Sequence, residues 1–136
     1  MNPFLCVYGH TNLDYILSLN KFPELNTSVN VESKRMYFGG TAANVATISA
    51  GLGTPTALCS YVGTDFPLEF RKLMESKGLD LRDLVMVDDH ETPTVWVVSD
   101  RDHNQVAYVY QGPMGEMEKE PILLNAARES EWVHVM

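Results

Sequence analysis

The sequence predicts an α/β fold in which a mostly parallel sheet is flanked by helices. Three observations predict it: short apolar runs alternate with helix-like segments, the chain can bury a sizeable core, and its composition is that of a folded domain. Hydrophobic residues make up 45% and charged residues 21% of the 136 positions, close to the averages for globular domains. Internal repeats and low-complexity segments do not occur.

The first part of the chain predicts strands. Phe4–Tyr8 is a short apolar run followed by a glycine, which is typical of a buried central strand. Asn12–Asp14 is predicted to be a turn, and Tyr15–Leu19 a second strand that Phe22-Pro23 terminates. Ser28–Phe38 is polar with weak alternation, which indicates a solvent-exposed strand or pair of strands.

The middle of the chain predicts a helix, a strand and a second helix. Gly39 and Gly40 open a small-residue helix over Ala42–Leu52. Thr56–Tyr61 is a predicted strand, and Leu68–Lys77 a predicted amphipathic helix. The inner face of this second helix is predicted to carry three apolar side chains, Phe70, Leu73 and Met74.

The last part predicts a β-hairpin, a helix and a final strand. The hairpin arms are Thr94–Val98 and Gln105–Tyr110, joined by a polar turn. A helix is predicted over Glu120–Arg128 and a strand over Trp132–Met136. Because a domain rarely ends inside a core strand, we expect a truncated chain whose last strand leaves an open apolar edge.

Charge, cysteine content and the N-terminus narrow the classes of protein. The net charge of −8 argues against a nucleic-acid-binding surface, which needs clustered Lys and Arg. Cys6 and Cys59 lie in apolar runs, so we expect buried, reduced thiols.

The start of the chain has neither a basic leader nor a long apolar stretch, so we expect a cytoplasmic protein without a membrane anchor. The four histidines are scattered singly, which indicates ordinary surface or core residues and no metal site.

The segment Gly39–Ala46 (GGTAANVA) carries the strongest functional signal. Two glycines before a helix let the backbone approach a ligand, and a helix N-terminus presents free N–H groups. Asn44 offers a donor and acceptors one turn into the helix, which suits a pair of neighbouring hydroxyls. The same residues also suit a Gly-Gly turn that enters an Ala-rich core helix. The spacing matches neither the P-loop nor the Rossmann pattern.

The run from Gly39 to Gly63 resembles the first signature of the ribokinase-like, phosphofructokinase-B-type carbohydrate kinases. The resemblance rests on the glycine pair and on five residues after it: Ala42, Asn44, Ala46, Gly53 and Gly63. Gly9–Asp14 (GHTNLD) is similar to the family's first strand and turn. The resemblance implies a ribokinase-like fold, with residues 1–136 as its N-terminal, substrate-binding part and a small β lid over residues 15–20 and 28–38.

The resemblance implies an ATP-dependent kinase that phosphorylates a hydroxyl of a sugar or nucleoside. Asp14 would accept hydrogen bonds from two substrate hydroxyls, since bonds to a carboxylate are stronger than neutral ones, and Asn12 would assist it. Gly39, Gly40 and Asn44 would hold the opposite side of the sugar. Without the resemblance, Asp14 would be explained as a turn residue whose side chain bonds the local backbone.

The family's second signature, a glycine-rich anion site beside a catalytic aspartate, has no counterpart in this sequence. The resemblance therefore implies that the catalytic base and the site for ATP and Mg²⁺ lie beyond Met136, and that this chain alone is inactive. Thr41-Ala42 replace the Lys and Gly often found after the glycine pair, so ribose specificity does not follow.

The hairpin carries an aromatic cluster of Trp96, Tyr108 and Tyr110 that is a candidate for stacking on a nucleobase, although cross-strand packing of these rings is the favoured alternative. Gln111 beside it is a candidate to bind a base edge, so nucleosides remain candidate substrates together with sugars.

Two further functions remain open at this stage. One is a non-catalytic sugar- or nucleoside-binding module, or a regulatory member of the same fold. The other is an oligomerisation element, because exposed lid strands can pair with a second copy and give a homodimer. Which sugar or nucleoside binds does not follow from the sequence.

Overall fold

A computed structural model describes residues 2–136 and confirms the α/β layer. The elements, in chain order, are β1 (Leu5–Tyr8), β2 (Asn12–Leu19), β3 (Val31–Gly39), α1 (Thr41–Gly51), β4 (Thr56–Gly63), α2 (Leu68–Ser76), β5 (Leu84–Val87), β6 (Thr94–Ser99), β7 (Gln105–Tyr110), a 3₁₀ helix (Gly112–Lys119), α3 (Asn125–Glu129) and β8 (Trp132–Val135). Within residues 2–136, no helix is long and apolar enough to cross a membrane.

The first sheet, here called the parallel layer, has the order β5-β4-β1-β8, and all its pairs are parallel. Strand β4 is buried at every position because it lies between two strands and has elements packed on both faces. Small side chains on α1 let that helix lie close to the sheet. The core between sheet and helices includes Val7, Leu58, Val62, Ala42, Ala43, Ala46, Phe70 and Met74.

The other face of the parallel layer holds the two cysteines. Cys6 and Cys59 are buried and free, as predicted, with their Sγ atoms 3.2 Å apart. Ala126 of α3 packs on them. Asp83 accepts hydrogen bonds from the Asn125 side chain (2.7 Å) and the Ala126 N–H (2.8 Å), so a buried carboxylate anchors the start of α3.

The second sheet, here called the lid sheet, has the order β3-β2-β6-β7. Strands β2 and β3 are antiparallel, β2 and β6 parallel, and β6 and β7 antiparallel. The lid sheet therefore contains the two strands predicted over residues 15–20 and 28–38, and it also contains both arms of the predicted hairpin. Every residue of β7 is exposed.

The predicted turn at Asn12–Asp14 is wrong, because these residues begin β2. Asn12 pairs with Gly39 on β3, and Leu13 pairs with Thr94 on β6. Strand partners on both sides outweigh the local turn preference of Asn and Asp, as tertiary pairing often does.

Two helix predictions also need correction. The segment predicted as one helix over Glu120–Arg128 forms α3 only from Asn125, because Glu120 already has an extended backbone and Pro121 follows it. On α2, Phe70 and Met74 are buried as predicted, but Leu73 is 39% exposed. Phe70 and Met74 are four residues apart and therefore share the buried face of α2, whereas Leu73 lies at the edge of this narrow face.

Candidate functional site

The candidate site lies where the lid sheet joins the parallel layer. The chain crosses this junction from β1 to β2 and again from β3 into α1 through Gly40, which has a φ of 102°. A Cβ at Gly40 would lie 2.7 Å from the Thr11 Cα and 2.8 Å from the Asn12 nitrogen. Only glycine fits this backbone conformation and this close approach, which explains the second glycine of the motif.

Gly39 is required for a different reason: the Asp14 carboxylate occupies the space that a side chain at this position would need. Asn12 and Asp14 lie two residues apart on β2 and share a face of the lid sheet with Gly39. A Cβ at Gly39 would overlap the Asp14 carboxylate, coming within 2.8 Å of its Cγ. The absent side chain therefore provides the space that the Asp14 carboxylate occupies.

Three oxygen atoms at this junction are buried and have no hydrogen-bond partner among residues 2–136: Thr11 Oγ1, Asn12 Oδ1 and Asp14 Oδ1. An unsatisfied buried polar group costs about 1–3 kcal/mol, so such a cluster needs an explanation. Burial also raises the pKa of Asp14 above its ordinary value. Carboxylate and amide oxygens are acceptors, so the cluster is suited to a ligand that brings hydroxyl donors.

One backbone N–H group in the first turn of α1 is bonded outside the helix. The Ala43 N–H donates to the His10 carbonyl at 3.2 Å, and the Asn44 N–H donates to the Gly40 carbonyl at 2.9 Å. The first bond ties the helix to the β1–β2 connection. Asn44 itself is exposed on the first turn of α1, so its side chain is open to a ligand.

Gln111 lies at the same junction, directly after β7. His10 Nε2 donates to Gln111 Oε1 at 2.8 Å, although 101 positions separate the two residues in the chain. This bond brings Gln111 to the connection that leads into Asn12.

The structure does not bring Tyr108 to Asp14. Tyr108 pairs with Trp96, which pairs with Tyr15. The rings of Tyr15 and Trp96 stack at 6.2 Å. Since neighbouring residues of a strand alternate between faces, Tyr15 and Asp14 lie on opposite faces of the lid sheet. Tyr108 is therefore part of an aromatic row on the far face.

Two residues at this site were missed by the sequence analysis. Thr11 is fully buried and contributes one of the unpaired oxygens, and His10 holds Gln111. The feature of the sequence that could have identified them is their position between the apolar run that ends at Gly9 and the Asn12–Asp14 segment. A polar residue that follows a buried parallel strand lies at the edge where α/β sheets bind ligands.

ATP and Mg²⁺ are expected to bind outside this chain, and two observations bear on metal ligands and on the later glycines. Within residues 2–136, no three His, Cys, Asp or Glu side chains cluster as a metal site would require. Gly112 and Gly115, the glycines that follow Gly78, do not form an anion cradle. A Cβ at Gly112 would lie 2.5 Å from the Glu91 carbonyl oxygen, so this glycine packs against the chain, and Pro113 after it lacks an N–H donor.

Comparison with known proteins identifies the family. Residues 2–135 match the family model described as pfkB family carbohydrate kinase. The chain belongs to this family. The match covers both sheets and the junction between them, so the glycine pair and the Asn12–Asp14 segment are parts of a pfkB-family fold.

The pfkB-family chain is similar to curated nucleoside kinases and to a solved one. It is 42% identical over 132 residues to the nucleoside kinase of Methanothermobacter thermautotrophicus, covering 96% of this chain and 43% of that protein. It is 39% identical over 113 residues to the nucleoside kinase of Methanocaldococcus jannaschii, covering 82% of this chain and 37% of that protein. The crystal structure of the M. jannaschii enzyme, an archaeal member of the ribokinase family, aligns with a TM-score of 0.85 and 34% identity, covering 98% of this chain and 44% of that chain. The ribokinase-like fold is thereby confirmed, and the chain spans less than half the length of these relatives.

Proposed function

We propose that the whole protein is an ATP-dependent kinase that phosphorylates a hydroxyl of a nucleoside or sugar, and that this chain supplies the substrate-binding side. The observation that carries the proposal is the cluster of unpaired buried oxygens on Thr11, Asn12 and Asp14 beside a glycine pair. The curated relatives at 42% and 39% identity are nucleoside kinases, which favours a nucleoside over a free sugar.

Each residue of the site has a role in this proposal. The Asp14 carboxylate accepts hydrogen bonds from two neighbouring ribose hydroxyls, and Asn12 accepts or donates one more. Gly39 leaves room for the Asp14 carboxylate and Gly40 for the backbone of Thr11 and Asn12, so the glycine pair shapes the site beside Asp14. Asn44 contacts the sugar from the first turn of α1.

Gln111 is the proposed contact to the nucleobase. Its Oε1 is occupied by His10, so its amide N–H groups remain available as donors to an acceptor on the base. Tyr108, on the far face of the lid sheet, has no role in binding substrate in this proposal.

The catalytic base, ATP and Mg²⁺ are assigned to parts of the protein other than this chain. A kinase must position and stabilise the transferred phosphoryl group and deprotonate the attacking hydroxyl. Residues 2–136 contain Asp14, the proposed acceptor-binding carboxylate, but no group of three His, Cys, Asp or Glu side chains that could hold a metal ion. We therefore expect the 136-residue chain alone to be inactive.

A homodimer formed through the lid sheet is part of the proposal. Its far face exposes apolar and aromatic side chains, including Met36 (43% exposed), Trp96 (38%) and Tyr108 (60%). Contiguous exposed apolar surface of this kind is typical of protein interfaces, and a second copy would cover it.

The test is an activity assay on the full-length protein with ATP, Mg²⁺ and a panel of nucleosides and free sugars. We expect substrate-dependent ADP release at about 1–100 s⁻¹, the usual range for kinases. Stabilisation against heat by a nucleoside without any turnover would instead support a non-catalytic binding protein. Neither turnover nor stabilisation with any compound would contradict both.

The 136-residue chain is assayed in parallel with the full-length protein. We expect no substrate-dependent ADP release from it. Turnover of about 1 s⁻¹ by the chain alone would contradict the assignment of the catalytic base and ATP to other parts of the protein.

A further inference from the structure

The connection from β5 to β6 is a third place where the parallel layer meets the lid sheet. This connection ends with Thr92 and Pro93, both buried, immediately before β6 begins. It lies against the end of β4, which is buried along its whole length. The position of β6, and of its neighbour β2, therefore depends on how this connection is held.

Asp65, which lies just beyond β4, fixes the position of this connection. Asp65 Oδ1 accepts a hydrogen bond from the Thr92 N–H at 2.7 Å. In return, the Thr92 hydroxyl oxygen accepts the Gly63 N–H at 3.1 Å, and the Thr64 N–H donates to the His90 carbonyl at 3.1 Å. Three hydrogen bonds thus join the end of β4 to residues 90–92.

The same connection reaches the candidate substrate carboxylate. The carbonyl of Pro93, the residue after Thr92, accepts the Leu13 N–H at 2.9 Å. Leu13 lies between Asn12 and Asp14 on β2. A continuous path of backbone and hydrogen bonds therefore runs from Asp65 through Thr92 and Pro93 to the residue that separates the two proposed substrate contacts.

Two glycines allow this contact to be close. A Cβ at Gly63 would overlap the backbone of residues 90–92, and a Cβ at Gly112 would lie 2.5 Å from the Glu91 carbonyl oxygen. Asp65 itself is exposed, so its side chain fills no core space. Among the contacts of the Asp65 side chain, the hydrogen bond to Thr92 is the one that ties it to the β5–β6 connection.

We propose that Asp65 is a positioning residue for the substrate site: it fixes the β5–β6 connection, and through Pro93 and Leu13 it sets the position of Asp14. This inference rests on the proposed function for its effect on substrate. Its mechanical part, the coupling of Asp65 to the start of β2, is independent of any substrate. Small displacements of positioning groups have large kinetic effects, because a shift of about 1 Å can reduce a rate by about 100-fold.

The test compares Asp65→Ala with Asp65→Asn in the full-length protein. The amide oxygen of Asn can still accept the Thr92 N–H, whereas Ala cannot. We expect Asp65→Ala to raise the KM for the nucleoside or sugar by about 10-fold, because a displaced Asp14 would lose about one good hydrogen bond to the substrate. The KM for ATP should be unchanged. Asp65→Asn should stay within about threefold of the wild type, because a neutral acceptor is only somewhat weaker than a charged one.

Asp88→Ala is the matched control, since Asp88 is an exposed carboxylate on the same connection whose side chain makes no hydrogen bond within residues 2–136. It should behave as the wild type. Hydrogen exchange without substrate supplies the second readout: the amides of Thr92 and Leu13 should exchange faster in Asp65→Ala and at the wild-type rate in the other two variants.

The outcomes separate this inference from the proposed function. A full-length protein that neither turns over nor binds any substrate contradicts the proposed function, while hydrogen exchange still decides the coupling. Unchanged exchange at Leu13 in Asp65→Ala overturns the inference. An Asp65→Asn variant that is as impaired as Asp65→Ala also overturns the inference. Loss of the fold in Asp65→Ala would also overturn it, because the carboxylate would then be a structural requirement.

Discussion

The two four-stranded sheets of this molecule differ in how they are stabilised. In the parallel layer, β4 is buried at all eight positions. In the lid sheet, β7 is exposed at all six and β3 at its first seven. Burial of apolar surface therefore stabilises the first sheet more than the second, which depends more on its strand pairing and on the crossings that attach it. The proposed substrate carboxylate, Asp14, belongs to the less buried sheet.

The largest effect is expected at the crossing from β3 into α1. Gly40→Ala places a Cβ against the backbone of Thr11 and Asn12 at a φ of 102°. Such strain costs at least about 2 kcal/mol, because the atoms in the way are backbone and cannot turn aside. Urea unfolding of the full-length protein measures the loss.

Gly51→Ala is the matched control, since Gly51 ends the same helix and a Cβ there would meet no neighbouring side chain or strand within 4 Å. It should leave stability unchanged or raise it by up to about 1 kcal/mol, because alanine favours a helix. Equal stability of the Gly40→Ala and Gly51→Ala proteins would contradict the view that the crossing is sterically fixed.

A smaller effect is expected from Asp14→Asn, on binding more than on folding. Losing a charged hydrogen-bond acceptor should cost about 1.5–3 kcal/mol of affinity for the nucleoside or sugar. Steady-state kinetics of the full-length protein measure it as a higher KM. Unchanged KM and kcat would rule out Asp14 as a substrate contact.

The pH dependence of stability checks the same residue without substrate. Burial raises the pKa of Asp14 in the folded state, so the stability that its protonated form contributes is complete below the ordinary aspartate value of about 3.9. It is lost as pH rises through the raised pKa. Asp14→Asn stays neutral. The unfolding free energy of this variant should therefore rise relative to that of the wild type as pH increases from about 3.9 through the raised pKa, and the difference should then be constant. A difference that does not change with pH would contradict the raised pKa.

The smallest expected effect is a difference in mobility between the sheets. Amides of Ser28–Phe38 should exchange faster than those of Ala42–Leu52, because β3 is an exposed edge strand and α1 packs on the core. Substrate at about 100 times its Kd should slow lid exchange by up to about 100-fold if only the closed form binds it. Equal exchange with and without substrate would mean that this sheet is not a lid.

Most of the parallel layer could be predicted from the sequence because its strands are nearly continuous apolar runs. Phe4–Tyr8 and Thr56–Tyr61 predicted β1 and β4 to within two residues at each end. Asn12–Asp14 was misassigned because the strand pairing that orders it comes from Gly39 and Thr94, far along the chain. The assignment of β6 and β7 to the lid sheet depends on the same long-range pairing, which local composition does not contain.

The candidate site was predictable only in part for the same reason. Glycines and acidic residues in a known pattern pointed to Asp14, Gly39 and Gly40, which the structure places together. Tyr108 was assigned on its residue type, and only strand alternation places it on the far face. The bond from His10 to Gln111 spans 101 positions and leaves no local signature.

The pairing of β1 has a consequence for how the nascent chain folds. Leu5 pairs with Thr56 on one side and with Trp132 on the other, so the strand made first receives its second partner last. The β6–β7 hairpin closes locally across residues 100–104 and can form as soon as it is synthesised. Non-local parallel pairing is slow, and until β8 emerges one edge of β1 is open to other chains. Chaperone demand during synthesis should therefore depend on β1 more than on the exposed strands of the second sheet.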